Sequence, residues 1–247
     1  MLNIVIPMAG RGSRFATAGY KLPKPLIPVG KKPMIQVVVE NLRPKVQHRF
    51  IFLCQQEHII EFNLKVLLSE ISPGSIVIPV NGITEGAACT VMLAESYIDN
   101  MDPLMIANSD QYIDFDVNEY LKYGVDNNFD GLIMTMKAND PKWSYVGFDL
   151  NMRINQVVEK KVISEEATVG IYNFKKGSDF VSNTKEMIKM NDRTNNEFYV
   201  APVYNYMIKK NANIGIFNIG EEFNGMYGIG IPTDLEKFLT HPISQKV

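Results

Sequence analysis

The stretch PMAGRGSRFATAGYKLPKPLIPV, residues 7–29, follows directly on an apolar run from Leu2 to Ile6. Such a run of aliphatic residues predicts a buried β-strand. Gly10 and Gly12 come next in the chain. Glycine readily adopts positive φ and lets backbone N–H groups approach a ligand closely. The stretch therefore predicts a strand that ends in a loop able to hold an anionic group.

Basic residues complete this loop. Arg14 and Lys24 can donate charge-assisted hydrogen bonds to phosphate oxygens, each worth about 1.5–3 kcal/mol. Pro23 and Pro25 flank Lys24, and their fixed φ lowers the entropy that is lost when the loop becomes ordered. This combination favours a binding site for a nucleoside triphosphate over an ordinary glycine-rich turn with solvated basic residues.

Two better-known phosphate motifs are excluded. The chain contains no GxxxxGK[ST] sequence, which excludes a P-loop. Residues 10–15, GRGSRF, begin like a dinucleotide-binding fingerprint, but Phe15 stands where the third glycine is needed. Because that glycine allows close packing of helix on strand, the sequence argues against a dinucleotide-binding dehydrogenase.

Composition is typical of a globular enzyme. Of the 247 residues, 46% are hydrophobic, and 25 Lys and Arg oppose 27 Asp and Glu, for a net charge of −2. This balance does not favour nucleic acid as a partner. The start of the chain lacks the features of a signal peptide, and no apolar run is long enough to span a membrane. We therefore expect a cytoplasmic protein without a membrane partner, and the two cysteines are expected to be buried apolar residues.

Strands alternate with helices in the first half of the chain, and strands dominate the second. The predicted strands are Leu2–Met8, Arg49–Cys54, Ser75–Val80, Leu104–Ala107, Gly131–Lys137, Tyr145–Leu150, Ile154–Val158, Thr168–Phe174 and Asn213–Asn218. The predicted helices are Met34–Leu42, Glu57–Ser69, Gly86–Ile98, Asn118–Asn127, Gly177–Met190, Tyr199–Lys209 and Thr233–Leu239. We therefore predict an α/β fold, a three-layer Rossmann-like arrangement of a mixed, mainly parallel sheet with helices on both faces.

No linker, repeat or low-complexity segment divides the chain. We predict one domain, residues 1–247, with a nucleotide-binding half at about 1–130 and an acceptor-binding half at about 131–247.

Ligands of open α/β sheets bind beyond the carboxyl ends of the strands. Asn81 follows one predicted strand, and its amide can donate to and accept from a base edge. Gly86 and Ala87 come shortly after it and leave room for a flat base. Asp110 follows the next strand and is suited to Mg²⁺, which prefers oxygen ligands. The alternatives are a turn residue at Asn81 and a helix cap or turn residue at Asp110.

These motifs resemble those of the sugar-phosphate nucleotidylyltransferases. The resemblance begins with GRGSR and LPKPLIPVGKKPM and extends along the whole chain. Shorter matches follow in the same order, at Glu85-Gly86-Ala87, Asp110, Glu159-Lys160, Val169-Gly170-Ile171-Tyr172, Glu197 and Gly230-Ile231-Pro232-Thr233-Asp234-Leu235.

The resemblance implies a nucleotidyltransferase fold, and an enzyme that transfers a nucleoside monophosphate to a phosphorylated acceptor and releases pyrophosphate. It implies that Arg14 and Lys24 bind the triphosphate and stabilise the transition state, and that Asp110 binds Mg²⁺. The nucleotide would be held by Ala9, Gly10, Gly12, Ser13, Asn81, Gly86 and Ala87. The acceptor would be held by Gly147, Glu159, Lys160 and Glu197.

The chain departs from the family pattern at two places. Gly228 occupies the position of a second metal-binding aspartate, so Mg²⁺ is expected to arrive with the nucleotide. Phe198 and Tyr199 follow Glu197 where the family often has polar residues. Together with the lone Trp143, these departures favour a non-sugar acceptor such as phosphoglutamine.

Asn81 and the small residues beside it suit a pyrimidine base, so CTP or UTP is the expected donor. The preference for CTP, and a place in capsule or surface polysaccharide biosynthesis, are what the resemblance alone implies.

Other functions remain open from the sequence. The first alternative is a sugar-1-phosphate nucleotidylyltransferase that makes a UDP-, dTDP- or GDP-sugar. A glycosyltransferase or a nucleotide-binding protein without activity is a second class, although residues 109–111 contain one carboxylate where a glycosyltransferase commonly has a D-x-D pair. The sequence leaves open which base is recognised and whether the chain forms a homo-oligomer.

Overall fold

A computed structural model describes residues 1–247 and contains thirteen β-strands and ten α-helices. The strands are β1 Leu2–Pro7, β2 Pro28–Val29, β3 Lys32–Pro33, β4 His48–Gln55, β5 Ile76–Val80, β6 Leu104–Ala107, β7 Gln111–Ile113, β8 Gly131–Lys137, β9 Ser144–Phe148, β10 Ile154–Glu159, β11 Glu166–Phe174, β12 Ile214–Glu222 and β13 Gly225–Gly228. The helices are α1 Ser13–Thr17, α2 Met34–Asn41, α3 Gln56–Glu61, α4 Leu64–Ile71, α5 Ala87–Met92, α6 Glu95–Ile98, α7 Val117–Asp126, α8 Gly177–Lys189, α9 Val203–Lys209 and α10 Pro232–Thr240. Short 3₁₀ helices form at Lys24–Leu26 and Pro242–Lys246.

One 11-stranded sheet contains strands from both halves of the chain. Its order is β5-β4-β1-β6-β11-β8-β12-β13-β7, and the β9–β10 hairpin joins it through β11. The first four strands of this order are parallel. Strand β11 runs antiparallel to both β6 and β8, and β12 is again parallel to β8. The predicted mixed sheet is confirmed, and the β6–β11 pair joins the two halves.

Both faces of the sheet are buried. Along β1, Ile4 and Ile6 belong to a core cluster of 28 residues, whereas Val5 lies in a second cluster of 26 residues. Alternate side chains of a strand point to opposite faces, so an uninterrupted apolar run is what a strand between two helical layers requires. The apolar run from Leu2 to Ile6 thus explains the three-layer arrangement.

Two predicted helices are interrupted. The helix predicted over Glu57–Ser69 breaks at Asn63, which has a left-handed φ of 49° and precedes α4. Asparagine tolerates this conformation better than most residues. The helix predicted over Gly86–Ile98 forms as α5 and α6, with Leu93 and Ala94 between them.

Four short strands were not predicted from the sequence: β2 and β3, which pair only with each other, and β7 and β13. Strands β7 and β13 pair antiparallel, and Gly228 lies opposite Gln111. Neither strand is long enough to show a clear period-2 pattern. Their pairing places Tyr112 and Tyr227 in the same core cluster as Phe15 of α1.

Backbone hydrogen bonds join the loop before α5 to the segment before α9. The Phe198 N–H donates to the Glu85 carbonyl over 2.7 Å, and the Ala88 N–H donates to the Phe198 carbonyl over 3.0 Å. Gly86 lies between them with φ of 121°, and a Cβ there would be 2.5 Å from the Phe198 carbonyl oxygen. Only glycine fits this close approach.

No helix in the chain combines the length and the apolar character that crossing a membrane requires.

We predict that Gly86→Ala lowers the free energy of unfolding by roughly 2 kcal/mol or more, because the alanine would adopt a strained φ and contact the Phe198 carbonyl. The matched control is Gly10→Ala, since Gly10 has no positive φ and no heavy atom within 4 Å of its added Cβ. Urea denaturation measures both variants. Equal stability of the two variants would contradict this account of the loop contact.

Candidate active site

A cavity of about 570 Å³ lies beyond the carboxyl ends of β1 and β5. Four predicted nucleotide-binding residues line it. Arg11 and Thr84 also line it, and no motif in the sequence indicated a role for them in binding. Its lining residues are Pro7, Ala9, Gly10, Arg11, Val80, Gly82, Ile83, Thr84, Gly86, Ala87, Thr90 and Glu197. Glycine, alanine and threonine make up more than half of this lining, and such small residues leave room for a flat base and its ribose. We refer to it as the first cavity.

Gln55 fixes the distance between the two loops that form the first cavity. Its Nε2 donates to the Ala9 carbonyl over 2.5 Å and to the Gly82 carbonyl over 2.9 Å. Because Gln55 ends β4, which lies between β1 and β5, its amide reaches both loops. Asn81, the neighbour of Gly82, is exposed and lines neither this cavity nor the second one.

The glycines of the first loop differ from each other. Gly12 has φ of 59° and caps α1, as expected. A Cβ at Gly12 would be 3.2 Å from the Cβ of Lys24, so the glycine lets the lysine segment pack against the loop. The expectation of a positive φ at Gly10 was wrong. Ser13 is exposed at the start of α1 and lines neither cavity.

Lys24 and Asp110 form an ion pair. The Lys24 Nζ lies 2.9 Å from the Asp110 Oδ2, and the two side chains are 21% and 23% exposed. The Ile229 N–H donates to the Asp110 carbonyl over 2.9 Å. A Cβ at Gly230 would stand 2.2 Å from the Asp110 Oδ2, so this glycine leaves room for the carboxylate. The fold thus holds the proline-framed lysine next to the predicted metal ligand.

The donor set at Asp110 fits a cation that brings most of its own ligands. The structure contains no group of three or more His, Cys, Asp or Glu side chains arranged to hold a metal ion. Asp234 lies near the point where the family's second aspartate would be, since its Oδ2 is 3.5 Å from a Cβ built on Gly228. Burial raises the pKa of Asp234. Asp110 stays the predicted protein ligand, and Asp234 stays the alternative for a second carboxylate.

A second cavity, of about 490 Å³, lies among the ends of β6, β9, β10 and β11. Three of the four predicted acceptor-binding residues line it, together with Arg14. The lining residues are Arg14, Ala87, Asn108, Gln111, Lys142, Trp143, Ser144, Glu159, Lys160, Thr168, Gly170, Tyr172, Glu197, Tyr199, Val200 and Ala201. The fourth predicted residue, Gly147, does not line the cavity. A Cβ there would contact the side chains of Gln156 and Ile163.

The second cavity places a buried carboxylate beside a cation. The Ser144 Oγ donates to the Glu159 carboxylate. Burial raises the pKa of Glu159, and both this hydrogen bond and the charge of Lys160 oppose the increase. The Lys160 Nζ donates to the Tyr199 Oη over 2.8 Å, and this bond raises the pKa of Lys160. The cavity therefore offers an oxygen acceptor and a fixed positive charge at neighbouring points.

The two cavities share part of their lining. Glu197 and Ala87 contribute to both of them. This junction lies at the Phe198 loop contact, so the same backbone hydrogen bonds that join the halves place the cavities side by side. Arg14 lies on the second cavity and Arg11 on the first, and the two therefore present positive charge on either side of the junction.

Comparison with known proteins gives consistent findings. Residues 4–213 match the family model described as Nucleotidyl transferase. The chain is 24% identical over 256 aligned positions to the bifunctional protein GlmU of Methanocaldococcus jannaschii, an alignment that covers 100% of this chain and 56% of that protein. It is 26% identical over 181 positions to the mannose-1-phosphate guanylyltransferase catalytic subunit beta of Danio rerio, with 70% of this chain and 49% of that protein covered. The chain therefore spans about half the length of the curated relatives it matches.

A solved structure shares the fold. The nucleoside-diphosphate-sugar pyrophosphorylase from Vibrio cholerae RC9 superposes with a TM-score of 0.82 at 23% identity, covering 96% of this chain and 100% of that one. The predicted α/β fold class is thereby confirmed.

We predict that Glu159→Gln increases stability at neutral pH. A carboxyl group whose pKa is raised by folding binds its proton more tightly in the folded state, so its ionisation lowers stability as pH rises above the unfolded pKa of about 4.3. Glutamine removes this cost and keeps an oxygen that can accept from Ser144. At pH 7 the melting temperature of the variant should exceed that of the wild type, and the difference should disappear near pH 3.

The control for this prediction is Glu236→Gln, because Glu236 is exposed on α10. Its melting temperature should follow that of the wild type at both pH values. A wild-type protein more stable than Glu159→Gln at pH 7 would show that the ionised carboxylate stabilises the fold.

Proposed function

Because the chain belongs to the nucleotidyl transferase family, we propose that it transfers a nucleoside monophosphate from a nucleoside triphosphate to a phosphorylated acceptor. The observation that carries this proposal is the pair of adjoining cavities that share Glu197 and Ala87. A transferase must hold two substrates with their reacting atoms in contact. One continuous lining allows this, whereas a nucleotide sensor needs only the first cavity.

The reaction follows from the chemistry of the two substrates. An oxygen of the acceptor phosphate attacks the α-phosphorus of the triphosphate and forms a new P–O bond. The bond between the α-phosphorus and the bridging oxygen breaks, and pyrophosphate leaves with that electron pair. A phosphate monoester has a second pKa near 6 and is already largely ionised at neutral pH. The reaction therefore needs no general base.

The protein must bring two anions together and stabilise the charge that develops on the leaving group. We assign this work to Arg14 and Lys24. The position of Arg14 on the second cavity and the ion pair that holds Lys24 at Asp110 beside the glycine loop support the assignment. Lys160 supplies charge on the acceptor side. Fixed cations of this kind stabilise the transition state most where water is excluded.

We further propose that Mg²⁺ is the cofactor and that Asp110 is its protein ligand. When bound, the ion would neutralise charge on the phosphate oxygens of the triphosphate. The single carboxylate beside Lys24 supports arrival of the ion with the nucleotide.

A sugar 1-phosphate is the acceptor we favour. The guanylyltransferase and pyrophosphorylase reported above are named for sugar phosphates or sugar nucleotides, and these names support the alternative kept open by the sequence. Polar groups of the second cavity, on Asn108, Gln111 and Ser144, come from elements other than the segment after Glu197. The absence of polar residues after Glu197 is therefore a weaker argument for phosphoglutamine than the sequence indicated. Neither CTP as the donor nor a role in capsule biosynthesis gains support.

We predict pyrophosphate release only when a nucleoside triphosphate and a phosphorylated acceptor are both present. A matrix of ATP, GTP, CTP, UTP and dTTP against hexose 1-phosphates and phosphoglutamine, with Mg²⁺, measures this directly. A hexose 1-phosphate should be the most efficient acceptor. Turnover of phosphoglutamine alone would restore the non-sugar acceptor, and release of inorganic phosphate without any acceptor would contradict the reaction class.

We also predict that Lys24→Ala and Arg14→Ala each lower kcat roughly 10²-fold or more and change the KM for the triphosphate less, because their charges act most strongly on the developing negative charge. Lys21→Ala is the matched control, since Lys21 is exposed in the same loop and has no hydrogen-bond partner. It should keep near-normal kcat. If folded Lys24→Ala behaves like the control, Lys24 is not part of the catalytic machinery.

A further inference from the structure

Gln111 presents an unusual amide to the second cavity. It begins β7, is 7% exposed and lines the cavity. Its Oε1 is buried and has no hydrogen-bond partner in the protein. A buried amide oxygen without a partner costs free energy, so such an arrangement is retained mainly where it serves another purpose.

Unpartnered polar atoms recur in this cavity. Six buried side-chain polar atoms of the chain have no partner, and the Trp143 Nε1 and Gln111 Oε1 both belong to residues that line the second cavity. The other four, on Asn3, Arg49, Asn173 and Thr184, belong to residues that line neither cavity. Two residues that line the second cavity thus carry a buried acceptor and a buried donor that the fold itself leaves unpaired.

The side-chain amides of Asn108 and Gln111 both lie next to the Cα of Gly170. The point where a Cβ of Gly170 would stand is 2.1 Å from the Asn108 Nδ2 and 2.7 Å from the Gln111 Oε1. Gly170 has φ of 78°, and its carbonyl accepts from the Asn108 N–H over 3.0 Å. The glycine therefore leaves room for both amides, and the backbone bond holds Asn108 in place beside the cavity.

We propose that Gln111 and Asn108 recognise a hydroxyl group of the acceptor's sugar ring. This inference rests on the proposed function and assigns specificity within the same site. A hydroxyl group can donate one hydrogen bond and accept another. It therefore suits an amide pair that offers an oxygen from Gln111 and an N–H from Asn108. Glu159, another oxygen acceptor of the cavity, accepts a hydrogen bond from Ser144 and would receive a different hydroxyl.

The arrangement predicts a specific kind of selectivity. A site with an unpaired buried amide rejects an analogue that lacks the matching hydroxyl, because the amide then stays unpaired in the complex. The selected acceptors are consequently sugar phosphates with all ring hydroxyls present, and one monodeoxy analogue should lose more affinity than the others.

The test uses Gln111→Met, which keeps the length of the side chain and removes its amide. Calorimetric titration with hexose 1-phosphates, and with the monodeoxy analogues of the one that binds most tightly, should show about tenfold weaker binding of the parent sugar by the variant. The variant should also bind the parent sugar phosphate with the same affinity as the monodeoxy analogue that the wild type binds most weakly. Its melting temperature should equal or exceed that of the wild type, since an unpaired buried group has been removed.

Two comparisons keep this test decisive. Gln47→Met is the matched control. Gln47 is exposed and directly precedes β4, at the end of that strand opposite to Gln55 and the first cavity. It should leave affinity for the sugar phosphate unchanged. Asn108→Ala is the second variant, and it should lose discrimination against the same analogue, so the conclusion does not depend on Gln111→Met alone.

The outcomes separate this inference from the proposed function. If the wild-type protein binds a hexose 1-phosphate, and Gln111→Met binds it and every analogue with wild-type affinities, the assignment of Gln111 is wrong while the function stands. If Gln111→Met melts at a lower temperature with affinity unchanged, the amide has a structural role only. If the wild-type protein binds no hexose 1-phosphate, the sugar acceptor itself is wrong.

Discussion

The arrangement of this protein depends on a pair of backbone hydrogen bonds between Phe198 and the loop before α5. They bring a segment of the second half of the chain against the loop that follows β5. The Phe198 backbone comes so close to residue 86 that it leaves no room for a side chain there. Glu197 is carried by the same segment and reaches both cavities. A transferase gains its rate from holding two substrates in contact, and this junction is where that contact would occur.

The rest of the site is assembled from strand ends. Strand β1 presents the glycine loop, β6 leads to Asp110, and the β9–β10 hairpin supplies Glu159. Lys24 is not on a strand of the large sheet, yet the ion pair with Asp110 fixes its amine at the sheet edge. Both faces of the sheet are buried, so its strands are rigid. They can therefore hold these side chains in accurate positions.

The sequence predicted those parts of the fold that are determined by local pattern. Strand β6 was predicted at its observed bounds, and the apolar run of β1 correctly indicated a sheet covered on both faces. Strands β7 and β13 were missed because three or four residues carry no periodicity and their pairing links distant parts of the chain. Gln111 was missed for a related reason, since an unpaired buried amide is visible only once its surroundings are known.

In the proposed reaction, the acceptor phosphate attacks the α-phosphorus of the triphosphate. The most direct measurement is ³¹P NMR of the products formed from an unlabelled triphosphate and a sugar 1-phosphate carrying ¹⁸O on its phosphate oxygens. We expect ¹⁸O to appear in the new P–O–P bridge and to shift both phosphorus signals of the nucleotide sugar, while pyrophosphate remains unlabelled. Label in the pyrophosphate, or a bridge containing only ¹⁶O, would contradict the proposed reaction.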